Sequence, residues 1–267
     1  MKLEKVILKD MDNLKSIWHH QFETSKMLKM NNCKKIVVVF PSSVQNTYNE
    51  LEKLVVTNCA LVEEIFELNF NENNNEEVIT HLKEVTLNEL WKLKKIWSRD
   101  PEGILSFQNL INVQLKQCAS LEYLLPFSVA TRCSHLKELG IKWCGNMKQI
   151  VAEEKESRVN AATIFEFNQL STLQLWYLYK LNGFYAGNHT LSCPSLRNIY
   201  VFKCTKLKLF RTLSNFQDDK HSVSTQQPLF ITEEVCISYK FTYHIKLHII
   251  MTLVQLNDSD SFNSTIF

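Results

Sequence analysis

A solenoid is the fold class this sequence predicts. It has a curved parallel β-sheet on its concave face, irregular or 3₁₀ turns and short helices on its convex side, and about eight stacked coils. Three observations predict it. The stretch Leu110 to Leu124, LINVQLKQCASLEYL, places apolar residues at a start position i and at i+3, i+5, i+8, i+11 and i+14. The same frame recurs from Leu3, Ser25, Leu51, Leu82, Leu110, Leu136, Leu170 and Leu196, and Ser25 is the one residue in it that is not apolar. A second period lies above the first: the i+8 residues run Met11, Cys33, Cys59, Leu90, Cys118, Cys144, Leu178, Cys204, one apolar position and then two cysteines, repeated.

The elements of a coil follow from these spacings. Positions i+3 and i+5 are two residues apart, so both side chains leave a short strand on one face. Positions i+2, i+4 and i+6 leave on the other, and stacking the coils joins them into the concave surface. The i+8 residue tucks under the turn that ends the strand. Cys33, Cys59, Cys118, Cys144 and Cys204 are therefore structural turn cysteines: small, buried and weakly hydrogen-bonding. Positions i+11 and i+14 close the coil, and an i−3 position adds Phe22, Tyr48, Ile79, Phe107, Cys133, Phe167 and Cys193. One coil cannot bury its own apolar edge and needs a neighbour on each side. This frame is that of a leucine-rich repeat, and the leucine-rich-repeat solenoid is expected over residues 1–210.

Blocks of three coils look duplicated. FPSSV at Phe40–Val44 and LPFSV at Leu125–Val129 occupy matching places, as do Ile65-Phe66-Glu67 and Ile150-Val151-Ala152, each followed by a polar, acidic insert. These inserts, residues 69–77 and 153–162, read as surface loops in lengthened return segments. Arg99-Asp100-Pro101-Glu102-Gly103 reads as a turn, since Pro fixes φ and Gly allows positive φ.

The two ends differ from the middle. MKLEKVILKDMDNLKSIW lacks the uninterrupted apolar run and the cleavage site of a signal peptide. It enters a coil by residue 3 without an amphipathic cap, so the expectation is a piece of something longer. Residues 211–267 are a divergent tail. A ninth start near residue 222 does not fit the frame. From Ile237 to Met251 odd positions are apolar and even ones mostly polar, the period of a strand. An end cap, a pairing strand and a partly disordered tail all stay open.

Composition excludes several function classes. Thirty Lys and Arg against 28 Asp and Glu give a net charge of +2, spread along the chain, so neither nucleic acid nor a membrane surface is demanded. There is no C-x-x-C pair, no Gly-rich phosphate loop and no nucleophile elbow. No metal, cofactor or nucleotide site is expected, and no enzyme. What remains is a surface. Six coils present mostly polar concave residues such as Asn112, Gln114 and Lys116. The last two present Trp176, Tyr200 and Phe202, a candidate partner-binding patch unless the tail covers it.

Some phrasing goes beyond the leucine frame. Leu93-Lys94-Lys95-Ile96-Trp97 with Asp100-Pro101, Cys144-Gly145-Asn146-Met147-Lys148-Gln149-Ile150-Val151, and Pro194-Ser195-Leu196 through Cys204-Thr205-Lys206-Leu207-Lys208-Leu209-Phe210 resemble the repeat region of plant disease-resistance proteins. These are the intracellular nucleotide-binding, leucine-rich-repeat receptors of the coiled-coil class. The resemblance implies a cytoplasmic, non-enzymatic module of innate immunity and plant defence. Its protein partner would be a pathogen effector, a guarded host protein or another domain of the receptor. The chain carries no nucleotide-binding motif and so resembles only the sensor portion: a truncated receptor without its switch, a gene fragment or a decoy. The alternative is the substrate-binding repeat domain of an F-box-type ubiquitin ligase adaptor.

Overall fold

The computed structural model describes residues 3–17, 25–44, 49–69, 77–153, 163–187 and 189–207, together with the backbone of 234–238 and 248–252. The acidic inserts fall almost entirely outside these residues, as does most of the divergent tail.

Each start position opens a coil, numbered here 1 to 8 from Leu3 to Leu196. Each coil contributes one strand to a single sheet: Leu3–Lys9, Ser25–Asn31, Lys53–Thr57, Glu84–Asn88, Asn112–Lys116, Glu138–Lys142, Thr172–Trp176 and Asn198–Phe202. All neighbours in this series pair in parallel, and the register is the same at every step. Val6, Leu28, Leu54, Val85, Val113, Leu139, Leu173 and Ile199, the i+3 residues, are successive partners. A parallel sheet with a constant register stacks like positions about 4.8 Å apart. Rows of identical position number, rather than single coils, are therefore the units of packing.

The i+3 and i+5 rows point inward, and from coil 2 to coil 8 they are buried. Ser25 obeys the frame despite its hydroxyl: it is 3% exposed, and Oγ donates to the Met27 carbonyl at 3.1 Å. That bond spares a buried polar atom its desolvation cost, on the order of 1–3 kcal/mol. Coil 1 is less covered. Val6, Leu8, Leu14 and Ile17 are half-buried, and Met11 is exposed, whereas the matching residues of coil 2 are fully buried.

The turn cysteines sit beneath the sheet's end. Cys33, Cys59, Cys118 and Cys144 are fully buried, and Cys204 partly so. Each thiol donates to the carbonyl of its own i+6 residue, at 3.7, 3.4, 3.7, 3.5 and 3.6 Å in that order. Cys33, Cys118 and Cys204 also reach the preceding coil's i+5 carbonyl: Leu8, Leu87 and Leu175. The slot thus wants a small apolar group with one weak donor, which is what a thiol is. The seven cysteines with described side chains are all free. Burial pushes Cys59 to about 11, and Cys133 and Cys193, in the i−3 row, to about 12.

One device repeats in every coil without a matching sequence motif. The i+7 residue has positive φ: Asp10, Asn32, Asn58, Glu89, Gln117, Trp143, Tyr177 and Lys203, all between 51° and 57°. This left-handed corner ends the strand and aims the i+7 N–H at the i+6 carbonyl of the next coil. Gln117 to Lys142, Trp143 to Trp176 and Tyr177 to Phe202 are bonded this way, at 2.7–2.9 Å. Only three of the eight are Asn or Asp, the residues that adopt this region most readily.

The convex side is more regular than the expected irregular turns. Val38–Phe40, Glu64–Phe66 and Lys95–Trp97 form a second parallel ladder. Val78–Ile79 pairs with Leu105–Ser106, and Thr163–Glu166 with His189–Ser192. Among the described residues the expected helical pieces are one 3₁₀ turn, Ser42–Val44, and one short helix, Phe127–Arg132. Both follow the proline of the duplicated phrase, and Pro126 stands as the helix N-cap in an extended conformation. The Asp100 carboxylate of the Arg99–Gly103 turn accepts from the Ser128 amide and hydroxyl at the helix start. Stacking of the i+15 row builds an aromatic ladder under the convex strands. Phe40 lies 5.0 Å from Phe66, Phe66 lies 6.1 Å from Trp97, and Phe107 fills the space beside them.

Beyond coil 8 the backbone of Glu234–Ser238 pairs in parallel with the last strand, Asn198 facing Cys236 and Tyr200 facing Ser238. His248–Thr252 then pairs antiparallel with that strand. The ninth strand thus begins some way past residue 222.

Candidate binding face

The concave surface is built by rows i+2, i+4 and i+6, and it changes character along the stack. In coils 4 to 6 it is polar and internally bonded. Gln114 donates from Nε2 to Asn112 Oδ1 at 2.8 Å, and Asn112 donates from Nδ2 to Glu138 Oε2 at 3.2 Å. The Gln114 amide lies flat across Gly140 of the next coil; a Cβ there would stand 2.0 Å from Gln114 Oε1. The absent side chain lets this part of the face stay shallow.

At coils 6 to 8 the face turns aromatic. Trp176 and Phe202 are strand partners in row i+6, and Tyr200 faces Gln174 one pleat back. The three expected rings therefore lie on one face, though not as one cluster. Among the described residues Tyr200 makes no ring contact, while Trp176 and Phe202 are joined through two rings of row i+7. Trp143 packs edge-on against Trp176 at 6.4 Å and stacks on Tyr177 at 5.5 Å; Tyr177 meets Phe202 at 5.1 Å. Tyr179 extends the group, 6.3 Å from Tyr177. Trp143 and Tyr179 are 39% and 49% exposed, and Trp176, Tyr177 and Phe202 are half-buried.

Strict alternation does not point to Trp143 and Tyr177, because it assigns only offsets i+2, i+4 and i+6 to the concave face. The left-handed corner breaks the alternation and brings i+7 round beside i+6. Aromatics in consecutive coils at the same offset, Trp143 and Tyr177, were the available signal.

Among the described residues no group of three or more His, Cys, Asp or Glu side chains converges to hold a metal ion. The carboxylates that are shifted, Glu52 and Glu63, are lowered first by hydrogen bonds from Lys83 and Lys94, which is coil-to-coil pairing at the surface. No helix among the described residues is long and apolar enough to cross a membrane.

The coil frame, the turn cysteines and the return phrases match one family model, the leucine-rich repeats of plant disease resistance protein RPS2-like sequences, over residues 2–145 and 132–218. The chain belongs to this family. No curated protein and no solved structure matches it. The RPS2-like match selects the resistance-protein reading over the F-box adaptor. A leucine-rich-repeat solenoid is a typical non-enzymatic scaffold for protein contacts, so the RPS2-like repeats present here form a resistance-related recognition module. The matched span covers all eight coils, including every ring and turn cysteine named above.

Proposed function

We propose that this solenoid senses a protein partner in plant defence, either a pathogen effector or a host protein whose state reports infection, and that it does so in the cytoplasm without catalysis. The contact would centre on Trp176, Tyr200 and Phe202, with Trp143 and Tyr177 completing the surface. The observation that carries this reading is the run of exposed and half-buried rings at one end of the concave face, next to the polar, internally bonded stretch of coils 4 to 6. Large rings dominate protein contacts because they bury much apolar area with few torsions to order.

Proximity labelling in challenged leaf tissue tests it. The parent is compared with the Trp176→Ala/Tyr200→Ala/Phe202→Ala variant, whose three side chains lie outside the inward-facing rows. The variant is expected to keep the parent's melting curve and lose a defined set of labelled proteins. An unchanged set of neighbours would refute the assignment.

A further inference from the structure

Several lysines of the solenoid pair with carboxylates, and three near the C-terminal end of the sheet lie over rings instead. Lys26, Lys34, Lys83, Lys94 and Lys148 each pair with a carboxylate at the same position of the preceding coil: Glu4, Asp12, Glu52, Glu63 and Glu122. Lys116, Lys142 and Lys203 have no such partner among the described residues. Each lies over a ring instead. Lys116 Nζ is 5.5 Å from the Trp143 centroid, and Lys142 Nζ is 4.4 Å from that of Trp176. Lys203 Nζ is 5.3 and 5.6 Å from Tyr177 and Phe202.

Lys116 and Lys142 are also direct strand partners, so two like charges stand side by side with no counter-ion between them. The Lys142 ammonium is held below its usual range by burial and then by Lys116. Like charges directly opposite on a sheet are unfavourable. At an exposed site a lysine–ring contact recovers less than a bound anion would provide.

We infer that the surface formed by Lys116, Lys142, Lys203 and the rings between them receives an acidic peptide segment of the partner protein, with carboxylates on the lysines and an aromatic or apolar side chain against the rings. The inference rests on the reading of this face as the binding face, and it adds the chemistry of the occupant. Size agrees with it. Coils 5 to 8 span three strand spacings, roughly 14 Å, the reach of about four or five extended residues. A longer polyphosphate track is disfavoured, because Glu84 and Glu89 of coil 4 occupy the concave surface and its rim just before coil 5.

The test uses the whole chain and four probes: the hexapeptides EDWEDF, KRWKRF and QNWQNF, blocked at both ends, and a six-residue oligothymidylate. The readout is the shift of the chain's own indole N–H signals, assigned by single Trp143→Phe and Trp176→Phe variants, together with the affinity from titration. The acidic peptide is expected to move both indoles and to bind at least about ten-fold more tightly than the basic one. That advantage should shrink with added salt and disappear in the Lys116→Gln/Lys142→Gln/Lys203→Gln variant, which still shifts with the neutral peptide. Neutral or basic peptide binding as tightly as acidic, at the same indoles, would overturn the acidic assignment while leaving the face as a binding face. A stronger shift with oligothymidylate would overturn it in favour of a nucleic-acid strand. No shift with any probe would remove both the acidic occupant and the binding face.

Discussion

Gln117 sits at the left-handed corner of coil 5, with φ at 56°, directly after Lys116 at the end of the strand. An L-residue in this region is roughly 1–2 kcal/mol above its preferred backbone. Glycine escapes that strain but adds about 0.5–1 kcal/mol of unfolded-state freedom. Gln117→Gly should therefore be neutral to stabilising, by up to about 1 kcal/mol. Gln117→Val forces a β-branched side chain into the same corner and should cost about 1–3 kcal/mol. One residue earlier the order inverts: Lys116 is extended, so Lys116→Gly should cost about 0.5–1 kcal/mol and Lys116→Val almost nothing. A stack of coils need not unfold in one step. The assay is therefore amide exchange resolved at the Gln117 N–H, which donates to the Lys142 carbonyl at 2.9 Å and reports coils 5 and 6 directly. If glycine destabilises both positions alike, the corner is not where the coil register puts it, and the stacking rows fall with it.

Three further outcomes follow from the same packing. Cys118 is fully buried, so Cys118→Asp should cost on the order of 3 kcal/mol or more; a melting curve like the parent's would place the i+8 row outside the core. Phe66 is fully buried against Phe40, Trp97 and Phe107, and Phe66→Ala should cost about 3–5 kcal/mol in denaturant titration, a loss below 1 kcal/mol contradicting the aromatic ladder. The third concerns alkaline pH. The Cys133 and Cys193 thiols, ordinarily near 9.0, are raised to about 12 in the folded chain. The unfolded state therefore loses these protons first, and the stability they contribute is complete below pH 9 and declines as pH rises toward 12. Cys133→Ala should flatten that decline by up to about 1.4 kcal/mol per pH unit, measured as melting temperature from pH 8 to 10.5. An unaltered pH slope would mean the thiol is not buried.

Much of this architecture was written in the spacing. The inward rows i+3 and i+5 are read directly because strand alternation leaves no choice of face once one side is buried. The stacking of Val113 on Val85 and Leu139 needs no more than a repeated offset. The convex strands were not legible. Glu64–Phe66 and Lys95–Trp97 are three residues long, too short to show a period, and their ladder exists only because neighbouring coils align them. The corner was illegible for another reason. Glu89, Gln117, Trp143, Tyr177 and Lys203 carry no local preference for positive φ; the turn is imposed by the hydrogen bonds and packing of the coil around it. That same corner hid half of the candidate face, since it swings Trp143 and Tyr177 beside Trp176 and Phe202.

We propose the ring cluster at coils 6 to 8 as the place where this resistance-family solenoid meets its protein partner. Photo-crosslinking asks this directly. A photoreactive phenylalanine analogue replaces Tyr179, 49% exposed at the cluster's edge, or Val37, 45% exposed beside the convex strand of coil 2. Each protein is irradiated in an extract of challenged plant tissue. A discrete crosslinked protein at position 179, lost with the Trp176→Ala/Tyr200→Ala/Phe202→Ala background and missing at position 37, is the predicted result. The same adduct at both positions, or at position 37 alone, would mean that the partner does not dock on the rings.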